Sequence, residues 1–148
     1  MAQQFCTFHV NDLFLGIEVE RVQEVLRDWD ITPVPTAPPA IRGLINLRGQ
    51  IVTAVDLRTR FGIAEVSDEA PTVLVLDTDA APLSLVVDRT GDVVEVDEKS
   101  FEKPPDTLQG ETRRLIRGAY KLQKLLLLAL DIEHALDVDA SAAGENSQ

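Results

Sequence analysis

The chain has 148 residues, enough for one domain with a real core or two small lobes sharing one, and too few for two full-sized domains. Hydrophobic residues make up 45% of it and aromatics only 5%, so it belongs with folded chains and its core must be built from Val, Leu, Ile and Ala, a β-leaning set. Fourteen basic against twenty-five acidic residues leave a formal charge of −11, which repels phosphate backbones and anionic lipid surfaces and argues against nucleic-acid or membrane-surface binding as a main role.

Cys6, the single cysteine, makes no internal disulfide and no cysteine-based metal cage, and reads as a small buried hydrophobe. The start, Met1-Ala2-Gln3-Gln4, lacks a basic segment followed by an apolar one, so the expected location is the cytoplasm. The longest apolar run, Leu125 to Leu130, is far short of a membrane span, and no membrane insertion is expected.

Along the chain, short apolar segments alternate with turn residues. Cys6, Phe8 and Val10 alternate with Phe5, Thr7 and His9, the period of a strand, and Asn11-Asp12 turns it into a second strand over 13–19. A single helical turn feeding a strand is expected over 19–26. Pro33, Pro35, Pro38 and Pro39 make an extended stretch, with one helical turn expected at Ala40 to Leu44. Residues 45–48 and 50–55 read as strands around a tight turn at Gly49. Asp56 is an N-cap for a short turn over 57–61, stopped by Gly62.

Residues 63–71 form an acidic connector, and the second half repeats the style of the first. Strands are expected over 72–76, 83–87, 92–96, 114–120 and 125–130, the last buried on both faces, with a closing helical turn over 132–136. From Asp139 the chain is small and polar and reads as a disordered tail. Many short strands with almost no long helix point to an all-β protein of small barrels or a sandwich, and two similar halves favour two barrels.

The ingredients of catalysis are poor. His9 and His134 have no nucleophile–base partner nearby in sequence, and Asp77 with Asp79, or Asp92 with Asp97, lack the glycine and glutamate of a calcium loop. No phosphate-binding glycine loop exists, so neither an enzyme nor a cofactor or metal is expected. One stretch stands out: Pro39-Ala40-Ile41-Arg42-Gly43-Leu44-Ile45-Asn46-Leu47-Arg48-Gly49-Gln50-Ile51-Val52, followed by Val55-Asp56-Leu57-Arg58 and Phe61. It places Arg48 at a hairpin tip on an acidic protein, either as a contact point or as a solubilising turn residue.

That string closely resembles the signature of the CheW family of chemotaxis adaptors, an aliphatic-basic-Gly run, then Asn-Leu-Arg-Gly, then Asp-Leu-Arg. The segments Leu15-Gly16-Ile17-Glu18-Val19, Val22-Gln23-Glu24-Val25, Val86-Val87-Asp88-Arg89, Gly118 and Asp131-Ile132-Glu133 add weaker support over residues 4 to about 138. The resemblance implies two small five-stranded SH3-like β-barrels around a shared hydrophobic core, with short helical turns. As a single domain over 1–138, its first lobe would span about 11–66 and its second about 72–138, the first strand being a candidate partner for the second lobe; the tail would be 139–148. It also implies a non-catalytic adaptor of a two-component signalling system. Its partners would be the regulatory domain of a CheA-type histidine kinase and the cytoplasmic tip of methyl-accepting receptors, gripped between the lobes. Such an adaptor would be cytoplasmic and recruited to receptor arrays at the inner face of the membrane.

Glu24 and Arg48 are then expected to form a functional charge pair, with Val22, Gly43, Asn46 and Leu47 shaping receptor contacts. Thr53 stands where the family usually has proline, and 119–124 is more basic than usual. The rivals are a CheW-like adaptor of another motility pathway and a small β-barrel ligand-binding module.

Overall fold

The computed structural model describes residues 2–63, 70–78 and 82–137. Most of the acidic connector, Asp79 and the expected disordered tail lie outside the described residues.

Strand β1 (Ala2–Val10) pairs antiparallel with β2 (Leu13–Glu18) through the Asn11-Asp12 turn. The period-2 alternation of β1 breaks: Phe5, Thr7, Phe8 and Val10 are all buried, while Cys6 is only partly so, short of the buried position expected for it. The reason is a register shift between Cys6 and Phe8 against a later strand, which turns Phe5 and Phe8 towards two different clusters. A 3₁₀ turn at Val19–Arg21 feeds β3 (Val22–Arg27), as expected.

The chain from Ala40 departs from expectation. In place of a helical turn, Ile41–Leu47 is a strand, β4, paired with β5 (Gln50–Asp56). Gly43 explains it, because Thr32 forms a bridge to Leu44 with reciprocal 2.8 Å hydrogen bonds and runs so close that a Cβ at position 43 would stand 2.2 Å from the Thr32 carbonyl oxygen. Helix α1 (Leu57–Arg60) follows, capped by Asp56, whose Oδ1 accepts from the Arg58 amide at 2.9 Å.

The second half supplies β6 (Thr72–Leu76), β7 (Leu83–Val87), β8 (Arg89–Asp97), the two-residue β9 (Phe101–Glu102), helix α2 (Gly110–Arg114), β10 (Ile116–Lys121), β11 (Leu126–Leu130) and helix α3 (Ile132–Leu136). Arg114, expected to open a strand, closes α2 instead, and Leu115 behind it is fully buried.

The strands form two sheets, ordered β8-β1-β2-β11-β10-β9 and β3-β6-β7-β5-β4. The chain changes sheet at Val19–Arg21 and at Asp88, not at the acidic connector: β6 and β7, which follow the connector, pair in the sheet of β3, β4 and β5. An acidic run marks a solvated loop, and a loop joins strands of one sheet as readily as it joins two lobes. The real crossings carry neither glycine nor proline to mark them.

Because β6 and β7 are buried throughout or nearly so, they supply two cores. Leu74, Leu76, Leu85 and Val87 face a large cluster with Phe8, Leu15, Ile17 and Leu130 of the other sheet, while Val73, Val75 and Val86 join Leu26, Ile45, Leu47 and Val52 in a cluster within their own sheet. Phe5, Val96, Tyr120, Leu127 and Ala129 fill the six-stranded sheet. Each sheet thus has its own small core, and a third and larger one is shared between them.

Candidate functional site

The β4–β5 hairpin turns through two residues, Arg48 at φ 53° and Gly49 at φ 86°. Two consecutive positive φ values are the geometry whose twist matches that of the flanking strands, and Asn, Asp and Gly are the residues that adopt it readily. Asn46 steadies it, its Oδ1 accepting from the Gly49 amide at 3.0 Å. Arginine is therefore not the residue that the turn itself asks for. Its side chain is 67% exposed and reaches Glu24 on β3, with guanidinium nitrogens at 3.2 Å and 2.5 Å from the two carboxylate oxygens.

β3 and β4 are the two outer strands of their sheet, at opposite ends of its order. For Arg48 to grip Glu24, the sheet must roll until its edges approach, and the ion pair bridges the remaining gap. The hydrogen bonds from Arg48 hold the Glu24 carboxyl below the usual carboxylate range, outweighing an opposing effect of desolvation, and the charge of Arg48 adds a lesser contribution in the same direction. Glu24 stays charged throughout the physiological range.

The other expected site residues fall into two groups. Asn46 is exposed beside Arg48, and Val22 opens β3 half-buried against the shared core. Leu47 is only 4% exposed, in the core of its own sheet, and Gly43 makes room for the chain at Thr32. These last two shape the scaffold of the hairpin and present no side chain to a partner.

Trp29 was not singled out by sequence reasoning. It is 38% exposed and, with Asp28, Asp30, Thr32 and Asn46, lines a shallow pocket of about 370 Å³ beside the hairpin. Val25 on β3 and Ile51, directly across the ladder from Asn46, are also exposed. The available signal was the run Asp28-Trp29-Asp30, a large aromatic between two acids just past a strand. Apolar side chains exposed around a charged pair are the composition of a protein-binding surface.

A larger open groove of about 660 Å³ runs between the two lobes, with Glu20, Arg21, Asp77 and Leu83 on one side and Glu133 and Leu136 of α3 on the other. Arg21 and Glu133 face each other at 3.8 Å. Among the described residues no group of His, Cys, Asp or Glu is placed to hold a metal ion, and no helix is long and apolar enough to cross a membrane.

Two rolled sheets around a common core, with an exposed charged hairpin and apolar surface beside it, define a two-lobed β-barrel binding module. The CheW-like domain model matches residues 4–140, and the chain belongs to that family. It is 30% identical over 147 residues to the chemotaxis protein CheW of Klebsiella aerogenes, covering 99% of this chain and 89% of that one. It is also 30% identical over 148 residues to the chemotaxis protein CheW of Bacillus subtilis, covering 99% and 94%. A scaffolding protein of the same type from Thermoanaerobacter tengcongensis superposes with a TM-score of 0.83 at 27% identity, over 93% of this chain and 94% of that one. The fold is the pair of SH3-like barrels, and the family is one of non-catalytic chemotaxis adaptors.

Proposed function

We propose that this chemotaxis adaptor couples methyl-accepting receptors to the regulatory domain of a CheA-type histidine kinase, and that the Glu24–Arg48 pair lies in the contact surface. The observation that carries this reading is Arg48: a bulky cation held in a left-handed turn position, two-thirds exposed, aimed by Glu24 and flanked by exposed apolar side chains. A rigid fork of donors in that place can read a carboxylate or a carbonyl on a partner. The coupling itself comes from contacts that differ between the active and inactive assemblies. Such a protein works in the cytoplasm and is recruited to receptor arrays at the inner face of the membrane.

Reconstituted kinase activity with receptor fragments tests the site. Folded Arg48→Glu protein should lose receptor-dependent activation, and wild-type activity would show that the tip is only a turn. Titration calorimetry with the kinase regulatory domain tests the partner: binding at or below tens of micromolar is expected, a range proper to transient signalling contacts.

A further inference from the structure

Helix α1 carries two arginines whose side chains reach residues outside its own sheet. Arg58 and Arg60, two residues apart, leave a helix about 200° from one another and so reach different parts of the other lobe. Arg58 donates to both oxygens of Asp88, from Nε at 2.7 Å and from a terminal nitrogen at 2.8 Å. Asp88 also accepts from the Asn11 amide at 2.7 Å, and its own amide donates to the His9 carbonyl at 3.0 Å. One guanidinium thus ties α1 to the point where the chain changes sheet and to the β1–β2 turn.

Arg60 is 5% exposed. It donates to the carbonyls of Ala135 at 3.1 Å and His134 at 2.6 Å, and lies 3.5 Å from Glu111 of α2. The Ala135 carbonyl lies in the last turn of α3 and has no partner within the helix, and the His134 carbonyl accepts also from the Asp137 amide, so Arg60 completes the cap of α3 from the opposite lobe. Neither arginine is needed to cap α1, whose ends are served by Asp56 and the Phe61 amide. Nor is burial of ionic groups an efficient route to stability, since apolar side chains of similar volume stabilise at least as well. What a buried fork adds is direction, because each fixes two acceptor atoms at once. On the groove side, by contrast, the lobes face each other through the exposed Arg21–Glu133 pair at 3.8 Å. One side of the lobe interface is joined by shielded two-acceptor contacts and the other by a longer, exposed ion pair.

We propose that Arg58 and Arg60 are positioning residues that hold the two lobes at one angle, so that a partner on one lobe is presented in fixed orientation to a partner on the other. This rests on the adaptor reading above. The test uses the full chain. Spin labels at Gln50→Cys and Lys124→Cys, in a Cys6→Ser background, report the distance between the two exposed hairpins, and kinase coupling is measured on unlabelled protein. One variant, Arg58→Lys with Arg60→Lys, keeps the charge and removes the forks; the other, Arg58→Gln with Asp88→Asn, removes a pair without leaving a buried charge. In folded variants the distance distribution should broaden and binary binding to each partner should persist. The receptor-dependent change in kinase activity should fall about fivefold or more, the scale of a typical allosteric coupling. An unchanged distribution, or unchanged coupling, in folded variants overturns the proposal. Wild-type protein that binds neither kinase domain nor receptor fragment would refute the adaptor reading instead, while the distance distribution still decides the positioning role.

Discussion

Arg48 and Arg58 each grip a carboxylate through two nitrogens, Glu24 in one case and Asp88 in the other, yet their surroundings differ sharply. Arg48 is 67% exposed at a hairpin tip; Asp88 is 7% exposed and has a backbone amide as a further donor. Water solvates the first pair when it opens, so its loss costs the fold little. The second pair is far less open to water. Equal geometry therefore sits in unequal surroundings: the exposed pair lies open to solvent at a hairpin tip, and the other joins α1 to the point where the chain changes sheet.

The largest expected effect breaks the buried pair from one side. Asp88→Ala takes from Arg58 the carboxylate that two of its nitrogens reach, in a part-buried place, and urea unfolding should show a loss of about 3 kcal/mol, the low end of the range for breaking a buried pair from one side. Next comes Gly43→Ala, which forces a Cβ against the Thr32 carbonyl at the base of the exposed hairpin. Unfolding should show a loss of about 1–3 kcal/mol, as overpacking generally does.

Burial pushes the Asp88 carboxyl up, but hydrogen bonds from Arg58 and the Asn11 amide, with the charges of Arg58 and Arg89, outweigh it and hold the group below its ordinary range. A carboxyl depressed in the folded state contributes stability that is fully present above its unfolded pKa, about 3.9, and is lost as pH falls through the folded value. Melting curves between pH 6 and pH 2 should therefore show the wild type losing its advantage over Asp88→Asn only below about pH 4. A constant gap would mean that the proton does not reach Asp88. The smallest effect on the fold belongs to Arg48→Glu. Its melting temperature should stay within a few degrees of wild type, although the kinase assay should register a large loss. A collapse of the fold would make the exposed pair structural after all and erase the contrast.

Local chemistry made much of this legible in the sequence. Asp56 as a cap, Gly62 as a stop, the Arg48-Gly49 tip, the Val19–Arg21 turn and the strands of β6, β7 and α3's closing turn follow from short-range rules, and the structure has them where those rules put them. The Glu24–Arg48 pairing came from the family signature, since no local rule links residues 24 positions apart. The misses came from long-range contacts. Ile41 to Leu44 lies in a strand because Thr32 and β5 lie beside it, and Cys6 is only partly buried because a bulge in the pairing with β8 shifts the phase of β1.

Composition, turn chemistry and apolar period suffice for a β protein of many short strands, with an arginine displayed at a hairpin tip. Those features depend on each residue and its near neighbours, which the sequence holds in full. Which strands share a sheet, and how far each arginine is buried, emerges only when distant segments pack. Sheet membership depends on pairing between distant segments, and an acidic loop looks the same whether it joins two lobes or two strands of one. Burial depends on what packs against a side chain, so Arg48 in Asn-Leu-Arg and Arg58 in Asp-Leu-Arg, alike in sequence context, end as an exposed hairpin tip and as a part-buried partner of Asp88.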